Sequence, residues 1–320
     1  MAAAVYTFCL VFGLAFLVKG ADWITAAGVA LGQRLRISEL VIGATVISLA
    51  TTLPEFGVSV MAAYHGQTDM AVGNAIGSCL FNMGFILGAT AMVVPVALQP
   101  QGFRRAAAMF LVVGVVVAVM CLAFDTINRT MGLLLIVAAA AYVTVSVADR
   151  QSAAAAPADF AAPMSLRGVL IFLAFGALGI AGGSILVIYC ATQIALIFHV
   201  PQMIIALTLV AGGTSMPELV VSLTGVLRNR RSLSVGNILG ANVLNLTWVL
   251  GASAVTADLQ VQDRTRYLDM PAMLVMAFLV LLFGARDYRL TRAEGALLVL
   301  AYCVYLALTF TLQFRETLSV

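Results

Sequence analysis

The sequence predicts an all-α, polytopic membrane protein of ten transmembrane helices arranged as two inverted five-helix repeats. Three observations lead there. Of 320 residues, 62% are hydrophobic and only 10% charged, a balance that a water-soluble domain of this size could not keep off its surface. Apolar stretches of about 20 residues, enough to cross a hydrocarbon core roughly 30 Å thick, recur along the whole length. Finally, the second half of the chain repeats the first: a shift of 163 residues lays Glu55 on Glu218, Asn74 on Asn237 and Asn82 on Asn245 without a gap.

The spans fall at about 2–33, 37–64, 69–97, 103–124, 129–149, 166–198, 201–227, 232–257, 267–285 and 291–314, joined by short connections. The first has no basic leader and runs on through Lys19 towards Arg36, too long for a cleaved signal, so it is kept as a span. Assigning loops to alternate sides collects twelve arginines on one side, among them Arg104, Arg105, Arg228, Arg230 and Arg231, against four on the other: Arg129, Arg264, Arg266 and Arg315. Positive charge is retained on the cytoplasmic side, so both termini are expected outside, with the plasma (inner) membrane as the location.

One compositional break interrupts the pattern, the alanine- and proline-containing stretch DRQSAAAAPADFAAPMS at 149–165. It reads as a cytoplasmic linker between an N-terminal five-helix repeat, 1–148, and a C-terminal one, 166–320. From Val41 to Gly88 about 14 of 48 residues are identical to their counterparts 163 positions on. Because each half has an odd number of spans, the second copy enters the membrane from the opposite face, which makes the repeat inverted.

Other function classes fit poorly. The five cysteines, Cys9, Cys79, Cys121, Cys190 and Cys303, lie inside apolar segments with no CxxC spacing and read as packing residues. His65 and His199 stand alone at segment ends, so a zinc set or a histidine-based hydrolase lacks its parts, and no enzyme activity or cofactor is expected. Arginines scattered through short loops form no nucleic-acid patch. Membrane lipid and the transported ions are the expected partners, with no obligatory protein partner.

Most of the fourteen carboxylates lie in loops or at segment ends, for example Glu39, Asp69, Asp125, Asp258, Asp287 and Glu294. Glu55 and Glu218 sit deep in apolar spans, where a charged side chain costs at least about 2.5–3.5 kcal/mol unless compensated. A bound cation is the natural compensation. Thr45, Ser48, Thr52, Glu55 and Ser59 follow at helical spacing and form one polar stripe, repeated as Thr208, Ala211, Ser215, Glu218 and Ser222. Pro54 and Pro217 immediately precede the glutamates and disfavour helical geometry at Leu53 and Met216, so both helices are expected to break there. Carbonyls freed near Ser48, Thr51, Ala211 and Thr214 are oxygen ligands suited to hard cations.

The following spans carry GNAIGSCLFN, Gly73 to Asn82, and GNILGANVLN, Gly236 to Asn245. Asn74, Ser78 and Asn82 stack on one helical face, and Gly73 and Gly77 leave room for a neighbouring backbone. With Glu55, Glu218, Asn82 and Asn245 as donors, the set is all oxygen, which favours calcium or sodium over zinc, copper or iron. A close ion pair between Lys19 and Asp22 is expected near the end of the first span.

At these motifs, GATVISLATTLPEF with GNAIGSCLFN and LTLVAGGTSMPEL with GNILGANVLN, the sequence resembles the cation/calcium exchanger superfamily and its prokaryotic sodium/calcium exchangers with two alpha repeats. The resemblance covers essentially the whole chain. It implies ion sites between the spans at 37–64, 69–97, 201–227 and 232–257, with Glu55 and Glu218 shared by calcium and sodium and Asn82 and Asn245 flanking them. Thr51, Thr52, Ser78, Thr214 and Ser215, with backbone oxygens near Ser48 and Ala211, would supply the remaining ligands, and the long first and sixth spans would be sliding gates. Two departures stand out: the usual GTSLPE signature has Ala50 for its glycine and Thr52 for its serine in the first copy, and Ala241 replaces the counterpart of Ser78, which weakens one flanking sodium site. The expected activity is secondary-active exchange of Ca²⁺ for Na⁺ by alternating access; the alternative is an H⁺/Ca²⁺ antiporter using the same two glutamates.

Overall fold

The computed structural model describes residues 2–148, 164–198 and 211–318. Most of the expected linker, His199, Thr208 and the start of the span expected at 201–227 lie outside these residues. The chain runs through α1 (Ala2–Leu35), α2 (Glu39–Thr51), α3 (Leu53–Tyr64), α4 (Thr68–Val93), α5 (Pro100–Ala123), α6 (Arg129–Ala148), α7 (Leu166–Ile197), α8 (Ala211–Thr214), α9 (Met216–Leu227), α10 (Arg231–Thr256), α11 (Thr265–Asp287) and α12 (Arg292–Leu318). Eight of these are long and apolar enough to cross a membrane, and α2 with α3 forms a further span bent by 46°. The molecule is a multi-pass membrane protein, as its hydropathy requires.

Burial orders the bundle. In α4 and α10, 67% and 83% of the apolar window is buried, against 22–39% in the other unbroken spans, so these two helices form its centre. Glycine permits their close approach to the broken helices. A Cβ on Gly240 would stand 2.3 Å from the Ala44 carbonyl oxygen and one on Gly236 2.1 Å from that of Leu40, so α10 and α2 pack backbone to backbone. By the 163-residue shift the counterparts of Leu40 and Ala44 are residues 203 and 207, outside the described part of the chain, and among the described residues no atom lies within 4 Å of a Cβ added at Gly73 or Gly77.

The packing repeats itself under the same shift. On the outside, α1 lies against α7 through Gly13 on Gly183 and Gly20 on Gly176, and each pair is the other's counterpart. Gly88 meets Gly295 between α4 and α12, and Gly251 meets Gly132 between α10 and α6, again as counterparts. Short strands β1 (Val96–Ala97), β2 (Thr126–Ile127), β3 (Leu259–Gln260) and β4 (Arg289–Leu290) pair antiparallel as β1 with β4 and β2 with β3. Val96 opposes Leu290 and Ile127 opposes Leu259. Both strand pairs and both intervening glycine pairs join one half of the chain to the other.

Two local expectations change. Leu53 and Met216 are helical; the breaks fall one residue earlier, at Thr52 (φ −81°, ψ 4°) and Ser215 (φ −88°, ψ 9°). Proline at the second position of a helix meets no preceding turn to clash with and lacks an N–H that would be unpaired there anyway, so Pro54 and Pro217 start new helices with Leu53 and Met216 inside them. Lys19 and Asp22 do not pair with each other. Asp22 reaches Arg228 at 2.7 Å, a stronger guanidinium partner from the connection after α9, and the Lys19 ammonium lies over Trp23, 5.7 Å from the ring centroid.

Candidate cation site

Breaking the helices puts the glutamates where a carboxylate is best tolerated. Glu55 and Glu218 occupy the first turns of α3 and α9, whose unpaired N–H groups and positive dipole ends favour negative charge. The preceding helices α2 and α8 end at the same breaks and direct carbonyl oxygens towards them, which favours a cation. Both glutamates are fully buried, as are Ser48, Thr51, Thr52, Asn82, Thr214, Ser215 and Asn245, with Ser78 1% exposed. Ala211 contributes the first residue of α8.

Hydrogen bonds draw the two halves together at these residues. Ser215 Oγ donates to Glu55 Oε1 at 2.8 Å, so the break before α9 touches the carboxylate of α3, one helical turn from Glu218. Thr51 Oγ1 donates to Asn237 Oδ1 at 3.2 Å and, in the counterpart bond, Thr214 Oγ1 donates to Asn74 Oδ1 at 3.3 Å. Asn82 Nδ2 donates to Asn242 Oδ1 at 3.0 Å between α4 and α10.

Several oxygens at these positions have no such partner. Glu55 Oε2, both carboxylate oxygens of Glu218, Asn82 Oδ1, Asn245 Oδ1 and Ser78 Oγ are buried and make no hydrogen bond of good geometry among the described residues. Buried polar atoms are normally paired, and leaving one unpaired costs about 1–3 kcal/mol, more for a charge. Oxygens of this kind, unbonded to protein donors, are available to a hard cation. The Ser48 carbonyl differs from expectation in this respect, since it accepts from Thr52 N at 2.9 Å, Thr52 Oγ1 at 2.9 Å and Thr51 Oγ1 at 3.2 Å. The Gly213 carbonyl, deprived of a donor by Pro217, accepts from Ser184 Oγ of α7 at 3.0 Å.

A family model described as sodium/calcium exchanger protein matches residues 5–148 and again residues 168–311. The chain belongs to that family. The inner membrane protein YrbG of Escherichia coli is 33% identical over 96% of this chain and 97% of its own length. The sodium/calcium exchanger MaX1 of Methanosarcina acetivorans is 25% identical over 94% of this chain and 97% of its own. A solved structure of the sodium-calcium exchanger NCX_Mj, soaked with Na⁺ and Ca²⁺, superposes with a TM-score of 0.82 at 28% identity, covering 95% of this chain and 98% of that one. The family is one of membrane exchangers that carry cations.

The exchanger contains features that its sequence did not signal. Asn82 and Asn245 each open a stretch of π-helix, Asn82–Leu87 and Asn245–Val249, and a third stretch, Gly43–Ile47, lies in α2. A π-turn inserts one residue into the helical register and re-aims the side chains around it, which is why such turns gather at functional sites. Buried asparagines link the halves: Asn74 and Asn237 accept from Thr214 and Thr51, and Asn82 donates to Asn242; the recurrence of Asn74 as Asn237 at the 163-residue shift is the signal the sequence carries for the first two. A third buried carboxylate, Asp269, lies 3.4 Å from Arg264 and accepts from Tyr305 Oη at 3.0 Å, a separate and internally compensated cluster. Among the described residues no group of three or more histidine, cysteine or acidic side chains is arranged to hold a metal, so the exchanger's candidate site rests on two carboxylates and neutral oxygens.

Proposed function

We propose that this exchanger is a secondary-active antiporter that moves Ca²⁺ against Na⁺ by alternating access, with both ions binding at Glu55 and Glu218. The observation that carries this reading is the set of buried, unbonded oxygens drawn from both halves of the chain: Glu55, Glu218, Asn82, Asn245 and Ser78. Two carboxylates bring a charge of −2, which one Ca²⁺ or two Na⁺ balance and an empty cavity does not. The unliganded site therefore resists crossing while the loaded one passes, and that difference couples the two fluxes. Thr51, Thr52, Thr214 and Ser215, with backbone oxygens of Ser48 and Ala211, complete the ligand set in this proposal; Ser48 would first have to exchange its hydroxyl donors for the ion.

Ten spans in two inverted repeats, 1–148 and 166–320, fit the reading. The contact pairs Gly13/Gly183 with Gly20/Gly176, and the two strand pairs, exchange under the 163-residue shift, as a two-fold axis would make them. Since α1 and α7 run antiparallel through their paired glycines, such an axis lies in the membrane plane. Arginine bias favours a plasma (inner) membrane setting with both termini outside and the 149–165 linker cytoplasmic.

The counter-ion is tested by calcium-45 uptake into proteoliposomes preloaded with sodium, with choline, or with a pH gradient alone. Uptake that requires internal sodium is the expected outcome. Uptake driven by the pH gradient alone would reassign the protein to H⁺/Ca²⁺ exchange, the reading favoured by the missing hydroxyl at Ala241.

A further inference from the structure

Asn74 of α4 ties its own half of the molecule together. Its Nδ2 donates to Ser59 Oγ at 2.9 Å and to the Glu55 carbonyl at 3.3 Å, both on α3. The same atoms in the other half, Asn237 Nδ2 on α10 and Ser222 Oγ on α9, are buried and neither has a hydrogen-bond partner among the described residues. The clasp residues themselves are the same, asparagine and serine at both pairs of positions, although Ser234, whose hydroxyl donates to the Ser222 carbonyl at 2.9 Å, stands where the first half has Ala71. What differs at the clasp itself is conformation. The bonds between halves are made on both sides, Thr214 to Asn74 at 3.3 Å and Thr51 to Asn237 at 3.2 Å. The glutamates are unequal in the same sense: Ser215 holds Glu55 at 2.8 Å, while Glu218 has the Thr51 hydroxyl beside it but no bond of that quality to either oxygen among the described residues, and the Thr52 hydroxyl, counterpart of Ser215, turns back to the Ser48 carbonyl.

We propose that Asn74–Ser59 and Asn237–Ser222 are two clasps that close in alternation during transport. The inference rests on the alternating-access reading above. In a protein built of two inverted copies, the oppositely facing conformation arises when the halves exchange their conformations. Asn237 then donates to Ser222 and the Glu218 carbonyl, while Asn74 releases Ser59. Each asparagine keeps its accepting oxygen on the threonine of the other half throughout, so its amide is a pivot with one permanent and one switching bond. Asn74 and Asn237 are thus positioning residues that bind no ion. One clasp is closed and one open in either conformation, so the pair adds the same free energy to both and does not bias the equilibrium. Removal of a single clasp does bias it.

The test compares apparent Ca²⁺ affinity at the two membrane faces, measured as sodium-driven calcium-45 flux in right-side-out and inside-out vesicles. The ratio of the two affinities reads the conformational equilibrium directly. Ser59→Ala removes the clasp closed here and should move that ratio about two- to tenfold, the effect of one buried hydrogen bond. Ser222→Ala should move it by a similar factor in the opposite direction. The double variant should return close to the wild-type ratio, and Ser59→Thr and Ser222→Thr, which keep the hydroxyl, should leave it in place. Should an alanine variant fail to accumulate, Ser59→Cys and Ser222→Cys weaken the same bonds at nearly constant volume and carry the same opposed expectation. Shifts of the same sign, or an unchanged ratio in both variants, would overturn the clasp. A wild-type protein without sodium-driven uptake would instead overturn the antiport reading on which it rests.

Discussion

Tyr142 on α6 donates its hydroxyl hydrogen to the Ala44 carbonyl at 2.9 Å, inside the π-turn Gly43–Ile47 of the helix that leads to Glu55. A π-turn leaves backbone carbonyls without their usual α-helical donors, and here a tyrosine from a neighbouring span supplies one. Tyr142→Phe keeps the ring and deletes the donor, and should lower stability by about 1–2 kcal/mol. The thermal midpoint in detergent reads this; an unchanged midpoint would mean that the π-turn is held by packing alone.

The glutamates are the strictest test of the site. Glu55→Gln or Glu218→Gln preserves shape and removes one of two charges. If the carboxylate is the partner of a buried cation, its loss costs about 3 kcal/mol or more, which is at least about a hundredfold in affinity. Vesicle calcium-45 uptake should fall to that extent in either variant. Retained flux in one of them would remove that glutamate from the site.

Ala241 is fully buried and stands where the first half has Ser78. Ala241→Ser places a hydroxyl at the position equivalent to Ser78 and should lower the sodium concentration for half-maximal exchange by about two- to fivefold. Titrating uptake against internal sodium shows whether it does; no change would mean that the position faces away from any sodium ligand sphere.

Gly240 allows α10 to touch α2, and a Cβ there would lie 2.3 Å from the Ala44 carbonyl oxygen and 2.5 Å from its Cα. Since backbone cannot step aside as a side chain can, Gly240→Ala should cost about 1–3 kcal/mol or more. Gly182→Ala, exposed and with no described atom within 4 Å of the added carbon, is the matched control and should leave stability unchanged or raise it by up to about 1 kcal/mol, since alanine is the better helix former. Thermal melts of the two purified variants, compared side by side, settle the point.

Hydropathy and the internal repeat made the architecture legible, because span length is dictated by bilayer thickness and duplication copies every constraint twice. Thus α5 at Pro100–Ala123 and α10 at Arg231–Thr256 fall within a few residues of the expected 103–124 and 232–257. The pairing of Glu55 with Ser215 could be anticipated only as proximity. Which hydroxyl turns to which carboxylate depends on the conformation of the molecule, and Thr52 and Ser215 look alike in the sequence. The π-turns at Asn82 and Asn245 were invisible because one extra residue per turn barely disturbs an apolar pattern. Spacing along one helix points Asp22 to Lys19, whereas its partner Arg228 lies far along the chain, where local periodicity carries no information.

Both strand pairs join the halves: Val96 meets Leu290, near the far end of the chain, and Ile127 meets Leu259. Gly88 likewise waits for Gly295 and Gly132 for Gly251. The first half therefore cannot complete these contacts alone: β1, β2, Gly88 and Gly132 each take their partner from residues 251–295, so the packed fold closes only when the second half is present.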